Sequence, residues 1–125
     1  MISVSEVPDF AEDAWLEMYR DIDIINNPLW RLYVGSIDGT PVSTSALFLA
    51  AGVAGIHGVP TFPEYRGRRI GTAMIYPPLV YSPDQGYRVG ALFSSEMVVC
   101  IYRDIGLVGY GEGNIYIWQP PEDSP

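Results

Sequence analysis

The segment YRGRRIGTAM, residues 65–74, combines residue types that could bind an anionic ligand. The chain has no lysine and seven arginines, and three of these fall within four residues: Arg66, Arg68 and Arg69. Arginine brings positive charge and forked N–H donors, and the two glycines of the segment let a ligand approach the backbone. The pattern favours a site for pyrophosphate or a similar anion. A glycine-containing turn with arginines on the surface is the alternative, since short glycine motifs have many false matches.

The elements on either side of this segment support the first interpretation. A strand is predicted to end near Thr61, and a helix is predicted over residues 69–81. The first N–H groups of a helix have no partner inside it, and the helix dipole adds partial positive charge there, so a helix N-terminus readily binds anions. Neither of two familiar phosphate motifs is present, because the chain has no P-loop lysine and no G-x-G-x-x-G sequence.

Residue patterns upstream predict one helix and three strands. Apolar residues at helical spacing predict a helix over residues 9–21, with Asp9 and Glu12 resembling a capping box. The strands are predicted at residues 30–37, 41–51 and 53–61. Asp38–Gly39 is a strong signal for a two-residue hairpin turn. Pro60 cannot donate to a strand ladder, so we expect a bulge or a free edge in the third strand.

Downstream patterns complete the predicted domain. Pro77 and Pro78 are expected to kink or shorten the helix over residues 69–81. The remaining predicted elements are a strand at 87–94, a helix at 96–105 that Gly106 ends, a strand at 113–118 and a disordered tail at 119–125. The sequence therefore predicts a single domain over residues 1–125 of the α/β class, α+β type, with a mixed and largely antiparallel sheet flanked by helices.

Composition and charge narrow the function. Apolar residues make up 48% of the chain and charged residues 18%, which is typical of a folded domain. A net charge of −8 argues against a nucleic-acid surface or an anionic membrane surface as partner. The chain has a single cysteine, Cys100, so no disulfide can form within it. It also has a single histidine, and we predict no metal site. With no signal peptide and no long apolar run, we expect a cytoplasmic protein.

Three separate segments resemble the GCN5-related N-acetyltransferase (GNAT) superfamily, between about Arg31 and Trp118. They are YVGSIDGTPVSTSALFLAAGVAGI, VPTFPEYRGRRIGTAM and GYRVGALFSSEMVVCIYRDIGL. In that superfamily a bulged strand leads into an arginine–glycine loop, which binds the pyrophosphate of acetyl-CoA, and then into a helix. The resemblance implies a GNAT-like fold, acetyl-CoA as co-substrate, and direct attack of an amine on the acetyl thioester.

The resemblance also assigns residues to the cofactor. The strand end beside the pantetheine arm corresponds to Val59, Thr61 and Phe62. The pyrophosphate loop corresponds to Arg66, Gly67, Arg68, Arg69, Ile70, Gly71 and Thr72. Ser95 stands where many relatives have an asparagine that contacts the cofactor. Tyr102, in CIYRDIGL, corresponds to the tyrosine that commonly protonates the departing CoA thiolate, although a core aromatic with a satisfied hydroxyl is the alternative for it.

A base, or water relaying to one, must take a proton from the attacking amine. His57 is the only histidine, and its ordinary pKa suits this role, whereas a structural histidine is the alternative. Glu64 and Glu96 are weaker candidates. His57 shares a strand face with Val59 and Thr61 unless the alternation is broken between them.

Two departures from the superfamily pattern leave alternatives open. Arg69 replaces the middle glycine of R-G-x-G-x-G, and we expect its backbone to be helical, with its side chain pointing outward or clamping the phosphates. Only one helix precedes the hairpin, so the part that shapes the acceptor site is shorter. The partner is expected to be a small-molecule or peptide amine, and a homodimer is compatible with the sequence. A non-catalytic module that binds acyl-CoA or a protein partner is the alternative, and an anion sensor without CoA is a third.

Overall fold

The computed structural model describes residues 9–57, 61–94, 96, 98–114, 116, 118 and 120–122. The described helices are α1 (Asp9–Asp21), α2 (Ile70–Asp84) and α3 (Val99–Ile105), and the strands are β1 (Trp30–Ile37), β2 (Thr40–Ala50), β3 (Val53–His57) and β4 (Val89–Leu92). The strands form one sheet in the order β1-β2-β3-β4, antiparallel except for the parallel pair β3–β4. The predicted fold class, with a mixed and largely antiparallel sheet, is confirmed.

Two tight turns bring β1, β2 and β3 side by side. Asp38 and Gly39 have φ angles of 48° and 81°, as the predicted two-residue hairpin turn requires. Ala51 and Gly52 repeat this conformation between β2 and β3, with φ angles of 52° and 76°. The second turn has no Asn-Gly or Asp-Gly signal, and the sequence therefore predicted a strand that ran through Ala51.

The hydrophobic core lies between one face of the sheet and the helices α2 and α3. Its buried members are Leu47, Leu49, Ala54, Ile56, Ile75 and Tyr102. Side chains of α2 pack directly against glycines in β1 and β4, the two edge strands of the described sheet. A Cβ atom on Gly35 would lie 2.6 Å from the sulfur of Met74, and one on Gly90 would lie 2.9 Å from Cδ2 of Leu79. The sheet thus fixes the position of α2 through close packing at both edges.

Helix α2 runs through three prolines, Pro77, Pro78 and Pro83, without ending at any of them. Of the two effects expected of proline, a kink or a shorter helix, the shortening is wrong, because α2 extends to Asp84. Pro78 has no N–H to donate to the carbonyl of Met74, four residues earlier. Ser45 Oγ of β2 donates to that carbonyl instead, at 3.0 Å, and Ser45 is buried. The sheet therefore supplies the hydrogen bond that the proline removes.

The C-terminal part differs from the prediction in one element. Gly106 ends α3 as expected, with φ 110° and a 3.0 Å hydrogen bond from Leu107 N to Tyr102 O. The predicted strand over residues 113–118 is wrong for the residues described there: Gly113, Asn114, Tyr116 and Trp118 are in no strand. Tyr116 and Trp118 are 88% and 79% exposed. Alternating residues indicate a strand-like period, but a strand also needs a partner to pair with.

Several sequence predictions fall on positions outside the described residues. These are the side chains of Asp9 and Glu12 in the capping box, and most of the tail at 119–125. Among the described helices, none is long and apolar enough to cross a membrane. The described part of the chain also contains no group of three or more His, Cys, Asp or Glu side chains that could hold a metal ion.

Candidate anion site at the N-terminus of helix α2

The chain returns to β2 one residue out of register after β3. His57 pairs with Ala46, whereas Thr61 pairs with Ser43 in an isolated bridge. Between these two pairs lie two residues of β2 and three residues of the returning chain. This one-residue offset agrees with the bulge that Pro60 led us to expect. Val59 and Pro60 themselves lie outside the described residues.

The offset places His57 and Thr61 on opposite faces of the sheet. Their partners, Ala46 and Ser43, are three residues apart in β2 and so point to opposite faces. Ser43 and Thr61 share a hydrogen bond of 3.2 Å between their hydroxyl oxygens, on the face that α2 covers. The His57 ring lies on the other face, 6.0 Å from the Trp30 ring. The alternation is therefore broken between His57 and Thr61, which is the case in which the sequence does not predict a shared face.

The arginine–glycine loop is tied back to this strand end. Arg66 Nε donates to the carbonyl of Thr61 at 3.2 Å, and Phe62 N donates to Val42 O at 3.0 Å. The short 3-10 turn Pro63–Tyr65 lies between them. The Arg68 guanidinium is 5.5 Å from the centre of the Tyr65 ring. Arg66 therefore closes the loop, while Arg68 and Arg69 are exposed and form no ion pair among the described residues.

The backbone of the loop presents a row of N–H groups that have no backbone acceptor among the described residues. The first hydrogen bond of α2 runs from Ala73 N to Arg69 O at 3.1 Å. Within the described part of the chain, the N–H groups of residues 67–72 have no backbone acceptor. Gly67 has φ 81°, which turns the loop into the helix. The N–H groups of residues 70–72 lie in the first turn of α2, and such donors at a helix N-terminus readily bind phosphate oxygens.

Arg69 caps α2 in the left-handed conformation, with φ 60° and ψ 22°. The expectation of a helical backbone at Arg69 is wrong, because the residue lies one position before the helix, where the chain turns. Its side chain is exposed and has no ring contact or ion pair among the described residues, and its pose toward a bound phosphate stays a prediction. Left-handed backbone costs a non-glycine residue about 1–2 kcal/mol.

Arg69→Gly should therefore raise the free energy of unfolding. Glycine removes the left-handed strain but adds about 0.5–1 kcal/mol of unfolded-state entropy, so the net gain is about 0.5–1 kcal/mol. Urea unfolding followed by circular dichroism measures it. Arg68→Gly is the matched control, since it makes the same chemical change at a residue without positive φ, and it should not stabilise the fold. Equal effects of the two variants would contradict the strain at Arg69.

Gly71, at the start of α2, has room for a methyl group. A Cβ atom there would meet only Thr61 Oγ1, at 3.9 Å, which is ordinary van der Waals contact. The fold itself therefore does not require glycine at this position. A ligand lying against the helix N-terminus would require it, because a methyl group would stand between ligand and backbone.

The remaining predicted residues are distributed over several parts of the structure. Phe62 is exposed beside the loop, and Ile70 and Thr72 lie in the first turn of α2. Tyr102 is in the core, 6% exposed, where burial raises the pKa of its hydroxyl. Ser95 lies outside the described residues. The structure thus brings together Thr61 and residues 66–72.

His57 is exposed overall, but its ring folds back over the strand. Its Nε2 atom lies close to Gly55, since a Cβ atom built on that glycine would be 2.8 Å away. Partial burial of the ring lowers the pKa of His57. The imidazole is consequently neutral near pH 7 and able to accept a proton. The imidazole ring lies on the face of the sheet opposite to Thr61.

Sequence reasoning missed two serines that position the site. Ser43 bonds Thr61, and Ser45 bonds the carbonyl of Met74 in α2. Both stand in the same alternation phase as the buried Leu47 and Leu49. Polar residues in the inward phase of a strand were the available signal, because buried hydroxyls need partners.

Comparison with known proteins gives the fold a family context. No family model and no curated protein matches the sequence. Among solved structures, a GCN5-related N-acetyltransferase from Ralstonia eutropha matches with a TM-score of 0.72 and 18% identity over 89% of this chain and 81% of that one. A predicted acetyltransferase from Clostridium acetobutylicum, solved with acetyl-CoA, matches with a TM-score of 0.70 and 18% identity over 89% and 78%.

A third structural match has a different description. A transcriptional regulator from Bacillus halodurans matches with a TM-score of 0.71 and 17% identity, over 85% of this chain and 76% of that one. At these identities the comparisons establish the fold, which is that of the GNAT acetyltransferases.

Proposed function

We propose that this protein is an acetyl-CoA-dependent N-acetyltransferase that acts on an amine. The observation that carries the proposal is the row of N–H groups at residues 67–72, which have no backbone acceptor among the described residues. They lie where a strand enters a helix in a GNAT fold, and a pyrophosphate there would satisfy both the N–H groups and the helix dipole.

The charge distribution supports this placement. The chain carries a net charge of −8, yet Arg68 and Arg69 stand at the loop without an ion pair among the described residues. Both can turn toward the phosphates of a bound CoA, where charge-assisted hydrogen bonds are strong. Arg66 has a positioning role, because its Nε is already engaged with Thr61 O.

The proposed reaction moves one acetyl group and one proton. The amine nitrogen attacks the thioester carbonyl, the C–N bond forms, the C–S bond breaks, and the CoA thiolate takes up a proton while the amine loses one. Tyr102 is proposed as the acid, since the raised pKa keeps its hydroxyl protonated at neutral pH. His57, held neutral, is proposed as the base or as the end of a water relay.

Gly71→Ala tests the cofactor site. The substitution should raise the free energy of unfolding by about 0.4–1 kcal/mol, because the site tolerates a methyl group and alanine reduces unfolded-state entropy. It should also weaken acetyl-CoA binding by about tenfold or more, which is at least about 1.4 kcal/mol, measured by calorimetric titration. A stabilised protein with weakened binding would be difficult to explain by damage to the fold.

Gly111→Ala is the matched control, since a Cβ atom on Gly111 would likewise meet no close neighbour and its φ is not positive. It should leave acetyl-CoA affinity unchanged. Equal affinity in the wild type and Gly71→Ala would place the CoA elsewhere or remove it from the function.

A non-catalytic CoA-binding module is the second candidate, and two observations favour it. Tyr102 lies within the core, and His57 lies on the sheet face opposite to Thr61. A thiol-release assay with a panel of small amines and peptides distinguishes the two functions. Binding of acetyl-CoA without release of CoA above the uncatalysed rate would support the module.

A further inference from the structure

A second cavity lies far along α2 from the anion site. It has a volume of about 360 Å³, is partly open to solvent, and is lined by the segment that joins α1 to β1, the start of β1, the end of β2, and Tyr81 of α2. Helix α2 rises about 16 Å between Ile70 and Tyr81, so the cavity is separate from the helix N-terminus. Its volume is within the range of small-molecule pockets.

Arg31 supplies the positive charge of this cavity. Its guanidinium carbon lies 4.0 Å from the centre of the Tyr81 ring and 5.8 Å from that of Tyr33. This arrangement holds the guanidinium plane in place without using its N–H donors on a carboxylate, and no ion pair of Arg31 is found among the described residues. In a chain of net charge −8, an arginine held this way is available to an external anion.

Three polar side chains of the joining segment form hydrogen bonds within it. Asn27 Oδ1 accepts a hydrogen bond from Leu29 N at 2.9 Å, and Asn26 Nδ2 donates to both carboxylate oxygens of Asp23, at 3.1 and 3.2 Å. The Asp23 carboxylate is therefore occupied by a neutral amide and does not neutralise Arg31. These local bonds also fix the shape of the segment that forms one wall.

The lining also includes apolar side chains, among them Leu29, Trp30 and Leu49. One cation beside apolar and aromatic side chains suits a singly charged, planar anion with an apolar body. A phosphate dianion would need more charge or a helix N-terminus, and this cavity offers neither. We propose that the cavity binds a small organic carboxylate, whose carboxylate pairs with Arg31 and whose apolar body lies against Leu29, Trp30 and Leu49. The proposal does not depend on acetyl-CoA binding.

Benzoate is the probe, and the measurement is its titration into the ¹⁵N-labelled full chain without CoA, followed by amide chemical shifts. We expect saturable shifts at residues 25–31 and near Tyr81, but not at residues 66–72. Benzamide, which has the same shape without the charge, should bind at least tenfold more weakly, and so should inorganic phosphate. Benzoate shifts confined to residues 66–72, or equal binding of benzoate and benzamide, would overturn the proposal.

Arg31→Gln provides the second arm. It keeps much of the side-chain stem while removing the charge, and it should weaken benzoate binding at least tenfold. Arg88→Gln is the control, because Arg88 is exposed and does not line the cavity, and it should leave binding unchanged. Equal benzoate affinity in Arg31→Gln and the wild type would overturn the proposal. If Arg31→Gln does not fold, the comparison of benzoate with benzamide on the wild type still decides.

Discussion

Replacing Tyr102 with phenylalanine should slow acetyl transfer by about 10²–10⁴-fold while leaving acetyl-CoA affinity unchanged, because one general acid typically contributes that much. Burial raises the pKa of the Tyr102 hydroxyl, so the side chain carries its proton throughout the neutral range. A thiolate leaving without that proton is the unfavourable step that the substitution would expose. Steady-state kinetics with a reactive amine, together with calorimetric titration of acetyl-CoA, separate the rate from the binding.

Tyr33→Phe is the matched control for this prediction. Tyr33 is also a tyrosine whose hydroxyl is buried, and burial raises the pKa of that hydroxyl while the neighbouring Arg31 lowers it. Removing the Tyr33 hydroxyl should leave the rate of acetyl transfer unchanged. An unchanged rate in Tyr102→Phe would remove Tyr102 from the mechanism. A rate that falls only together with the folded fraction would identify Tyr102 as a core aromatic.

The sequence predicted the parts of the fold that depend on local signals. The Asp38–Gly39 turn and the flanking alternation locate β1 and β2, because turn geometry and side-chain period are short-range properties. Gly106 similarly locates the end of α3. The arginine–glycine loop follows from its residue types, and the structure places it at the helix N-terminus as predicted.

Features that depend on distant contacts could not be predicted in the same way. The length of α2 depends on Ser45, a residue in another element, which bonds the carbonyl that Pro78 leaves without a donor. The face of Thr61 relative to His57 depends on a one-residue offset in pairing, which reverses every side chain beyond it. The predicted strand at 113–118 had the right period, but the sequence does not show whether a neighbouring strand is there to pair with it.

Ser45→Ala should lower the free energy of unfolding by about 1–3 kcal/mol, because it leaves the buried carbonyl of Met74 without a donor. Ser82→Ala is the matched control. Ser82 is equally a buried serine that bonds a carbonyl of α2, that of Pro78 at 2.6 Å. That carbonyl keeps its ordinary helical donor, the N–H of residue 82, so the control should have a smaller effect. Urea unfolding of both variants measures the difference.

A double-mutant cycle with Pro78→Ala tests the cause directly. Alanine at position 78 restores the N–H that can bond Met74 O within the helix, so the loss of the Ser45 hydroxyl should then matter less. Pro78→Ala alone combines a new hydrogen bond with a cavity, since Pro78 is fully buried, and only the coupling between the two positions is informative. We expect a coupling energy of about 1 kcal/mol or more, within the range for residues that share a partner. Because this bond joins β2 to the helix whose N-terminus forms the anion site, Ser45→Ala should also weaken acetyl-CoA binding, and Pro78→Ala should restore part of it. An equal effect of Ser45→Ala in both backgrounds would show that Ser45 stabilises the fold without compensating for the proline.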